Sequence, residues 1–324
     1  MFNRLIRPPR PPAKTNRRTA RTLIGAGAAL SAMLTLSACS PFTVLNGAVP
    51  ADGRAEMRDI VYGPHPRQRL DVYAPEHARS APVVVFFYGG SWRSGDRADY
   101  RFVGDALASR GIVAVVADYR LYPDVRYPGF VQDGAAAVAW TLAHAAQFGG
   151  DTERVFVAGH SAGGYIAAML ALDPRWLDGA GTSPDKLAGW IGMAGPYDFL
   201  PVESRDVRPV FHYPDSPADS QPLAHAQGHS PPALLLTGTA DRSVDPARNT
   251  GGLAQALRAA GTCVAVIEYR GLGHPMLVGA LSRPLRWRAP VLEDISRFVT
   301  REAGRPSSGD EGATDVAPGP CHQP

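Results

Sequence analysis

The 324-residue chain predicts an α/β fold, in which a mostly parallel central sheet is covered by helices on both faces. Two observations favour this class. Short apolar runs alternate with longer segments of helical character, and most of the runs are continuously apolar, as in strands buried on both faces. About 250 residues, from 51 to 302, have the composition of folded protein, which suits a single α/β domain. We therefore expect one folded domain without internal repeats.

Eight apolar or alternating runs are expected to form the strands. A turn at residues 63–67 joins the first two, which should form an antiparallel hairpin at the start of the domain. Helical segments separate most of the others, an arrangement that produces parallel strands. The runs are Met57–Tyr62, Arg69–Ala74, Pro82–Tyr88, Ile112–Asp118, Arg154–Ala158, Ala188–Met193, Ala233–Gly238 and Val264–Tyr269.

Five segments between the strand-like runs favour helices. Open sheets of this kind bind ligands beyond the carboxyl ends of their strands. Residues that directly follow a strand are therefore the first candidates for a functional site. The helical segments are Asp99–Ser109, Phe130–Gln147, Ser161–Leu172, Arg248–Ala260 and Ala289–Thr300.

Residues 1–39 have the features of an export signal. Residues 1–21 contain seven basic residues and no acidic one, and residues 22–38 are uncharged and rich in Ala, Leu and Gly. A basic region followed by a short apolar core and small residues is typical of a secretory signal. The small residues before Cys39 resemble a bacterial lipobox, in which Cys39 would become the lipidated N-terminus. The alternative is an ordinary cleaved signal with an incidental cysteine.

The segments that flank the domain are expected to lack regular structure. Residues 40–50 are uncharged and contain Pro and Gly, so they are interpreted as a linker. Residues 303–324 are rich in Gly, Pro, Ser and acids, a composition that predicts a disordered tail. With a lipid on Cys39, the linker would tether the domain to the periplasmic face of a bacterial outer membrane. Without the lipid, the protein would be periplasmic or secreted.

Charge and cysteine content exclude several classes of function. The chain has 33 basic and 30 acidic residues; without the seven basic residues of the leader, 26 basic residues face 30 acidic ones. The mature protein therefore offers no basic surface that would suggest a nucleic-acid partner. Its three cysteines form no metal-ligand spacing, so no metal site is expected. Cys263 and Cys321 could pair in an oxidising compartment or remain free thiols.

The stretch Gly159-His160-Ser161-Ala162-Gly163 is the strongest functional motif. It lies between a strand-like run and a helical segment, the setting in which G-x-S-x-G forms a nucleophile elbow. In such a turn the serine hydroxyl projects above the sheet, and the glycines allow strand and helix to approach closely. We therefore interpret Ser161 as a candidate nucleophile, although a short motif can match by chance and mark a structural loop serine.

A serine nucleophile needs a histidine base and an acid that orients it. His274 follows the last strand-like run, and Asp241 follows the run before it, so the order Ser161, Asp241, His274 is that of known triads. Asp245 is the alternative acid, and an aspartate that caps the next helix is the structural alternative for either residue. Three histidines in a Pro-rich insertion compete with His274: His212, His225 and His229.

The stretch Tyr88-Gly89-Gly90-Ser91-Trp92 directly follows the third strand-like run. A pair of glycines there allows backbone N–H groups to turn toward the elbow. With the N–H of Ala162, those of Gly90 and Ser91 would form an oxyanion hole.

Four stretches together resemble a known family: Tyr88–Trp92, Asp118-Tyr119-Arg120-Leu121, Gly149-Gly150-Asp151 and the elbow. They look like the α/β-hydrolase esterases with an H-G-G-x-W motif, which are related to hormone-sensitive-lipase-type carboxylesterases, kynurenine formamidases and isoprenylcysteine methylesterases. The resemblance covers roughly residues 57–300. It implies the α/β-hydrolase fold, hydrolysis of short esters or amides without a cofactor, and the roles given above for Ser161, Asp241 and His274. Tyr88 departs from the motif, because the family usually has a histidine there.

The sequence therefore predicts an exported, lipid-anchored serine carboxylesterase that hydrolyses short-chain esters of small molecules through an acyl-enzyme. Residues 195–232 contain Tyr197, Phe199, Phe211 and Tyr213 and are expected to form a short cap over an acyl pocket, although these aromatics could equally be core residues. Two alternatives remain. One is an amide hydrolase of the arylformamidase type, and the other is a non-catalytic binding protein with the same fold.

Overall fold

The eight strands of the described residues join one sheet, in the order β1-β2-β4-β3-β5-β6-β7-β8. The computed structural model describes residues 41–50 and 54–302. β1 pairs with β2 and β2 with β4 in antiparallel fashion, whereas the five pairings from β4 to β8 are parallel. The predicted fold class and the antiparallel hairpin at its start are thus confirmed. The strands are β1 Arg54–Val61, β2 Arg69–Pro75, β3 Ala81–Phe87, β4 Val113–Ala117, β5 Gly150–His160, β6 Leu187–Met193, β7 Ala233–Gly238 and β8 Val264–Tyr269.

The inner strands are continuously apolar because neighbouring elements cover them. Every residue of β4 and β7 is buried, as expected for parallel strands that are packed on both faces. β8 is one of the two edge strands and is only partly buried. The strands match the predicted runs to within a few residues, and the largest difference is β5, which begins four residues earlier than expected.

Eight α-helices lie in the described part of the chain. The helix that follows the elbow is buried at all eleven positions, and its many Ala and Gly residues allow it to pack closely on the sheet. The helices are α1 Pro41–Gly47, α2 Arg101–Ala108, α3 Gly129–His144, α4 Ala162–Leu172, α5 Pro174–Gly179, α6 Gly252–Ala259, α7 His274–Gly279 and α8 Val291–Glu302.

Several helices differ from the sequence prediction. The segment expected to be one helix over residues 248–260 begins with a single π-helical turn, Ala247–Gly251, before α6. The helices α5 and α7 were not predicted, because six residues are too few to display a helical period. Each has proline in its first turn, where the missing N–H has no consequence.

The sheet lies in a compact unit that begins at Leu45, and only residues 41–44 of the preceding unit are described. The predicted linker contains α1, and its Asn46 donates to Ala98 O and accepts from Phe102 N. This end of the linker is therefore bound to the domain instead of being a free spacer. The predicted signal with its lipobox and the predicted tail lie outside the described residues.

Two further findings concern the predicted export. Within residues 41–50 and 54–302, no helix has the length and hydrophobicity required to cross a membrane. Cys263, just before β8, is disulfide-bonded, so the free-thiol alternative does not apply to it. The other two cysteines, Cys39 and Cys321, lie outside the described part of the chain.

Candidate active site

Ser161 occupies the tight turn between β5 and α4. Its backbone has φ 56° and ψ −122°, a conformation that non-glycine residues rarely adopt and that is concentrated at functional sites. The turn requires glycine on both sides. A Cβ at Gly159 would lie 2.1 Å from Gly163 O, and a Cβ at Gly163 would lie 2.0 Å from Phe87 O. The motif therefore forms the strained turn that the sequence predicts.

Asp241 and His274 form a hydrogen-bonded pair beyond the ends of β7 and β8. His274 Nδ1 lies 2.7 Å from Asp241 Oδ2, while Asp241 Oδ1 accepts from the N–H groups of Ser243 and Val244 at 2.8 and 3.0 Å. Burial alone would raise the pKa of Asp241, but the hydrogen bonds from His274 and the two backbone N–H groups lower it overall. Asp241 is thus an anion that fixes the orientation of the His274 ring.

The rivals of this pair have other partners. Asp245 Oδ1 accepts from Arg248 N at 2.8 Å, so Asp245 caps the following turn. His212 Nε2 contacts Tyr127 O, and His225 Nε2 contacts Asp219 O, each at 2.7 Å. The third histidine of the insertion, His229, is largely exposed near Asp185.

His160, the residue before Ser161, connects the elbow to His274. Its ring centroid lies 4.7 Å from that of His274, and its Nε2 lies 3.0 Å from His274 O. A carbonyl can only accept, so Nε2 carries the proton. Burial, followed by the proximity of His274, lowers the pKa of His160 to about 3. The sequence alone gave no indication that the variable position of the elbow contacts the candidate base.

The elbow is linked to His274 through His160, the residue before Ser161. In the described part of the chain, the Ser161 hydroxyl donates no hydrogen bond to the His274 ring. Such bonds are often long in a ligand-free site and tighten when substrate binds. The structure therefore shows the hydrogen-bonded pair of Asp241 and His274 and a contact between His274 and the residue before Ser161.

The loop of residues 88–97, here called the β3 loop, lies against the elbow. A Cβ at Gly89 would lie 2.9 Å from the Ser161 Cβ. Gly90 has φ +134°, and Ser91 and Trp92 have φ 54° and 58°, so the backbone here reverses sharply. In the described part of the chain, the N–H groups of Gly90 and Ser91 have no hydrogen-bond acceptor. The oxyanion-hole role of Gly90 and Ser91 stays a prediction.

An aromatic cluster joins the β3 loop, helix α4 and the insertion of residues 195–232. The Trp92 ring lies 4.8 Å from Phe211, 5.1 Å from Tyr165 and 6.0 Å from Phe199, measured between centroids. Phe211 is fully buried and Phe199 partly so, whereas Tyr213 is 45% exposed. Through Phe199 and Phe211 the insertion therefore packs on Trp92 of the β3 loop, while the buried Tyr197 packs on Trp190 of β6.

Comparison with known proteins agrees with this arrangement. The family model BD-FAE matches residues 70–259, more than half of the chain. The chain belongs to the BD-FAE family. Esterase LipC of Mycobacterium tuberculosis is 33% identical over 253 residues, which cover 70% of this chain and 62% of that protein. A probable isoprenylcysteine alpha-carbonyl methylesterase of Arabidopsis thaliana, ICMEL1, is 31% identical over 75% of this chain and 55% of its own length.

This member of the BD-FAE family thus spans only about three fifths of these curated relatives. Solved structures support the fold. Propionate-bound esterase 2 of Thermogutta terrifontis is 25% identical, with a TM-score of 0.63 over 78% of this chain and 96% of that one. Esterase B of Lactobacillus rhamnosis, bound to a tributyrin phosphonate, has a TM-score of 0.70 at 20% identity, over 89% and 97% of the two chains. The resemblance inferred from the sequence is confirmed: this is an α/β-hydrolase fold shared with esterases.

Proposed function

We propose that this BD-FAE family member is a serine carboxylesterase that cleaves short-chain esters of small molecules. The observation that carries the proposal is the Asp241–His274 hydrogen bond of 2.7 Å beside a serine in a strained elbow. A buried carboxylate that orients an imidazole is the arrangement that activates a serine hydroxyl. The esterase names of the relatives agree with this chemistry.

The roles of the residues follow from their positions. Ser161 Oγ attacks the ester carbonyl while His274 Nε2 takes its proton, and Asp241 stabilises the imidazolium that forms. The negative charge on the carbonyl oxygen is held by the N–H groups of Gly90, Ser91 and Ala162. His274 then donates the proton to the departing alcohol, which leaves an acyl group on Ser161. Water, deprotonated by His274, attacks this acyl-enzyme and releases the acid.

The preference for short acyl groups rests on the aromatic cluster. Trp92 of the β3 loop contacts Phe199 and Phe211, which also contact each other, and we expect these three rings to limit the depth available to a long acyl chain. The insertion of about 38 residues is a small cap compared with a lipase lid, although loop length constrains a pocket only weakly. Among the structural relatives, Thermogutta terrifontis esterase 2 has been solved with propionate and butyrate.

A lipid anchor on Cys39 completes the proposal. It would tether the enzyme to the periplasmic face of a bacterial outer membrane, and stable anchoring requires more than one acyl chain. Membrane fractionation and radioactive palmitate labelling of the natural chain and of Cys39→Ser test it. We expect the natural protein to be labelled and membrane-bound. The Cys39→Ser variant should be soluble or unprocessed. Equal solubility without label in either would leave an ordinary exported protein.

The decisive experiment for the activity uses the purified mature protein. It is assayed on p-nitrophenyl esters of increasing chain length and on aryl formamides, and labelled with a fluorophosphonate probe. We expect Ser161→Ala to abolish ester turnover and labelling without changing stability, because the side chain loses one oxygen at a turn. Ser109→Ala, a serine that bonds Ala106 O at the end of α2, is the control.

Three outcomes would contradict the proposal. Near-natural turnover by Ser161→Ala would remove the nucleophile assignment. Faster cleavage of formamides than of esters would favour the arylformamidase alternative. No turnover and no labelling of the natural protein would favour a binding role.

A further inference from the structure

Both ends of the β3 loop are bound to one buried carboxylate, that of Asp118. We propose that Tyr88 is a positioning residue, whose hydroxyl, through Asp118 and Arg67, holds the β3 loop so that its N–H groups point at the developing oxyanion. The inference rests on the proposed function, because it concerns the oxyanion hole of that reaction. It assigns a role to the residue at which this chain departs from the H-G-G-x-W motif.

The first end of the loop is held through the Tyr88 side chain. The hydroxyl donates to Asp118 Oδ1 at 2.5 Å and accepts from Arg67 Nη2 at 2.7 Å. The same Nη2 donates to Gly95 O at 2.8 Å, and Arg67 Nε donates to Tyr119 O at 3.0 Å. One arginine therefore connects Tyr88 to the returning half of the loop.

The second end is held by Arg97. Its backbone N–H donates to Asp118 Oδ1 at 2.8 Å, and its Nη1 donates to Asp118 Oδ2 at 2.5 Å. Asp118 Oδ1 thus accepts from both Tyr88 and Arg97, which are nine residues apart. One carboxylate oxygen therefore holds the two ends of the loop together. Asp118 lies at the end of β4, which the parallel sheet places beside the end of β3.

Packing reinforces the hydrogen bonds. The Tyr88 ring is stacked between Tyr100 and Tyr119, at centroid distances of 5.2 and 4.9 Å. The loop folds directly onto this ring, since a Cβ at Gly95 would lie 2.5 Å from Tyr88 Cε2. The Tyr119 hydroxyl also donates to Tyr88 O at 2.8 Å. The Tyr88 ring therefore supports the loop by packing, and the bonds of its hydroxyl hold the Tyr88 side chain in one orientation.

A tyrosine suits this position because its hydroxyl does not change charge. Burial, with the neighbouring Tyr119 and Asp118, raises the pKa of Tyr88 well above its usual value. The hydroxyl therefore remains a donor to Asp118 at every working pH. A histidine facing Asp118, Arg67, Tyr100 and Tyr119 would instead change charge near neutral pH.

The test compares Tyr88→Phe with Tyr62→Phe. Tyr62 supplies a matched control, because its hydroxyl donates to the backbone oxygen of Asp118 at 2.5 Å and not to the carboxylate that binds the β3 loop. For each variant, kcat and KM on a short p-nitrophenyl ester are measured. We also measure the affinity for a trifluoromethyl ketone, whose adduct with the serine is an oxyanion, and the midpoint of urea unfolding.

We expect Tyr88→Phe to lower kcat and trifluoromethyl ketone affinity by roughly ten- to hundredfold, the range for a lost hydrogen bond to a charged group that acts in the transition state. KM should change little. Tyr62→Phe should retain both kinetic values even if its urea midpoint falls. Tyr88→His should recover part of kcat, with an added dependence on pH that the natural enzyme lacks.

The outcomes separate this inference from the proposed function. If Tyr88→Phe lowers only the urea midpoint, or matches Tyr62→Phe in kcat and inhibitor affinity, Tyr88 is merely structural and the inference is wrong. In that case Ser161→Ala would still abolish turnover. If Ser161→Ala remains active, the proposed function itself fails.

Discussion

The two sides of the candidate site are held in opposite ways. On the side of β7 and β8, Asp241 is bound by one imidazole and two backbone N–H groups. On the side of β3 and β4, Asp118 is bound by two guanidinium groups, a tyrosine hydroxyl and a backbone N–H. Each is a buried aspartate just beyond the end of a strand, but only the second is neutralised by arginine.

This difference agrees with the roles proposed for the two sides. The charge of Asp241 must be available to an imidazole that gains and loses a proton, so a nearby guanidinium would weaken its effect. Asp118 has to hold a loop still, and a buried carboxylate without cationic partners would be unstable. The carboxylate that stabilises an imidazolium is therefore left with few partners, whereas the one that anchors a loop has several cationic and neutral donors.

The largest expected effect comes from Asp241→Asn, which should lower kcat by about 10⁴. Asp241 Oδ1 accepts from Ser243 and Val244, so the amide oxygen of asparagine will take that position and leave its NH₂ facing His274. The ring must then carry its proton on Nε2 and cannot accept one from Ser161. Steady-state kinetics on a short ester measures the loss.

Asp245→Asn is the matched control, because asparagine caps a helix as well as aspartate does. It should retain activity to within a few-fold. A large loss in Asp245→Asn combined with a mild one in Asp241→Asn would transfer the role of the acid to Asp245.

The second prediction concerns stability on the other side. Asp118→Asn should lower the free energy of unfolding by about 3 kcal/mol, because Arg67 and Arg97 would be left partly buried without their shared carboxylate. Urea unfolding provides the measurement. Asp99→Asn, at a half-buried acidic residue of the turn Arg97–Tyr100, should change it by under about 1 kcal/mol. Equal effects of the two substitutions would mean that the network around Asp118 is not a stabilising element.

The third prediction uses His160, which lies between the two sides. Its pKa is lowered to about 3 in the folded protein, against about 6.5 in an unfolded chain. Between these values the unfolded state binds a proton that the folded state does not, so stability is complete above about pH 6.5 and falls as the pH decreases. His160→Gln should reduce this slope by at most about 1.4 kcal/mol per pH unit.

Urea unfolding at several pH values between 4 and 7 measures that slope, and His144→Gln controls for the loss of a histidine elsewhere. An unchanged slope in His160→Gln would show that His160 is not held neutral by burial. The pKa of Asp241 is lowered by folding, so this residue affects the slope only at lower pH, where it becomes protonated. The natural protein and His160→Gln share this contribution.

The two sides were also unequally predictable from sequence. Ser161, Asp241 and His274 each lie within five residues after a strand-like run, and elbow chemistry requires Gly159 and Gly163, so local patterns identify them. Arg67, Tyr88, Arg97 and Asp118 lie in four separate segments, and their convergence depends on β2, β3 and β4 being neighbours. No local periodicity records such a network. For the same reason, the contact between His160 and His274, 114 residues apart, could not be foreseen.

The smallest expected effect concerns the cap, which borders the loop side of the site. Phe199 is only partly buried and touches Trp92 and Phe211, so Phe199→Ala should enlarge the space over the β3 loop without collapsing the core. We expect the ratio of hexanoate to acetate turnover to rise by roughly two- to tenfold, a modest change because neighbouring rings relax into the gap. Tyr213→Ala, from the same insertion but 45% exposed and stacked on Arg208, should leave the ratio unchanged. If both variants kept the natural ratio, Phe199 would be a packing residue, and the limit on acyl length would have to lie elsewhere in the site.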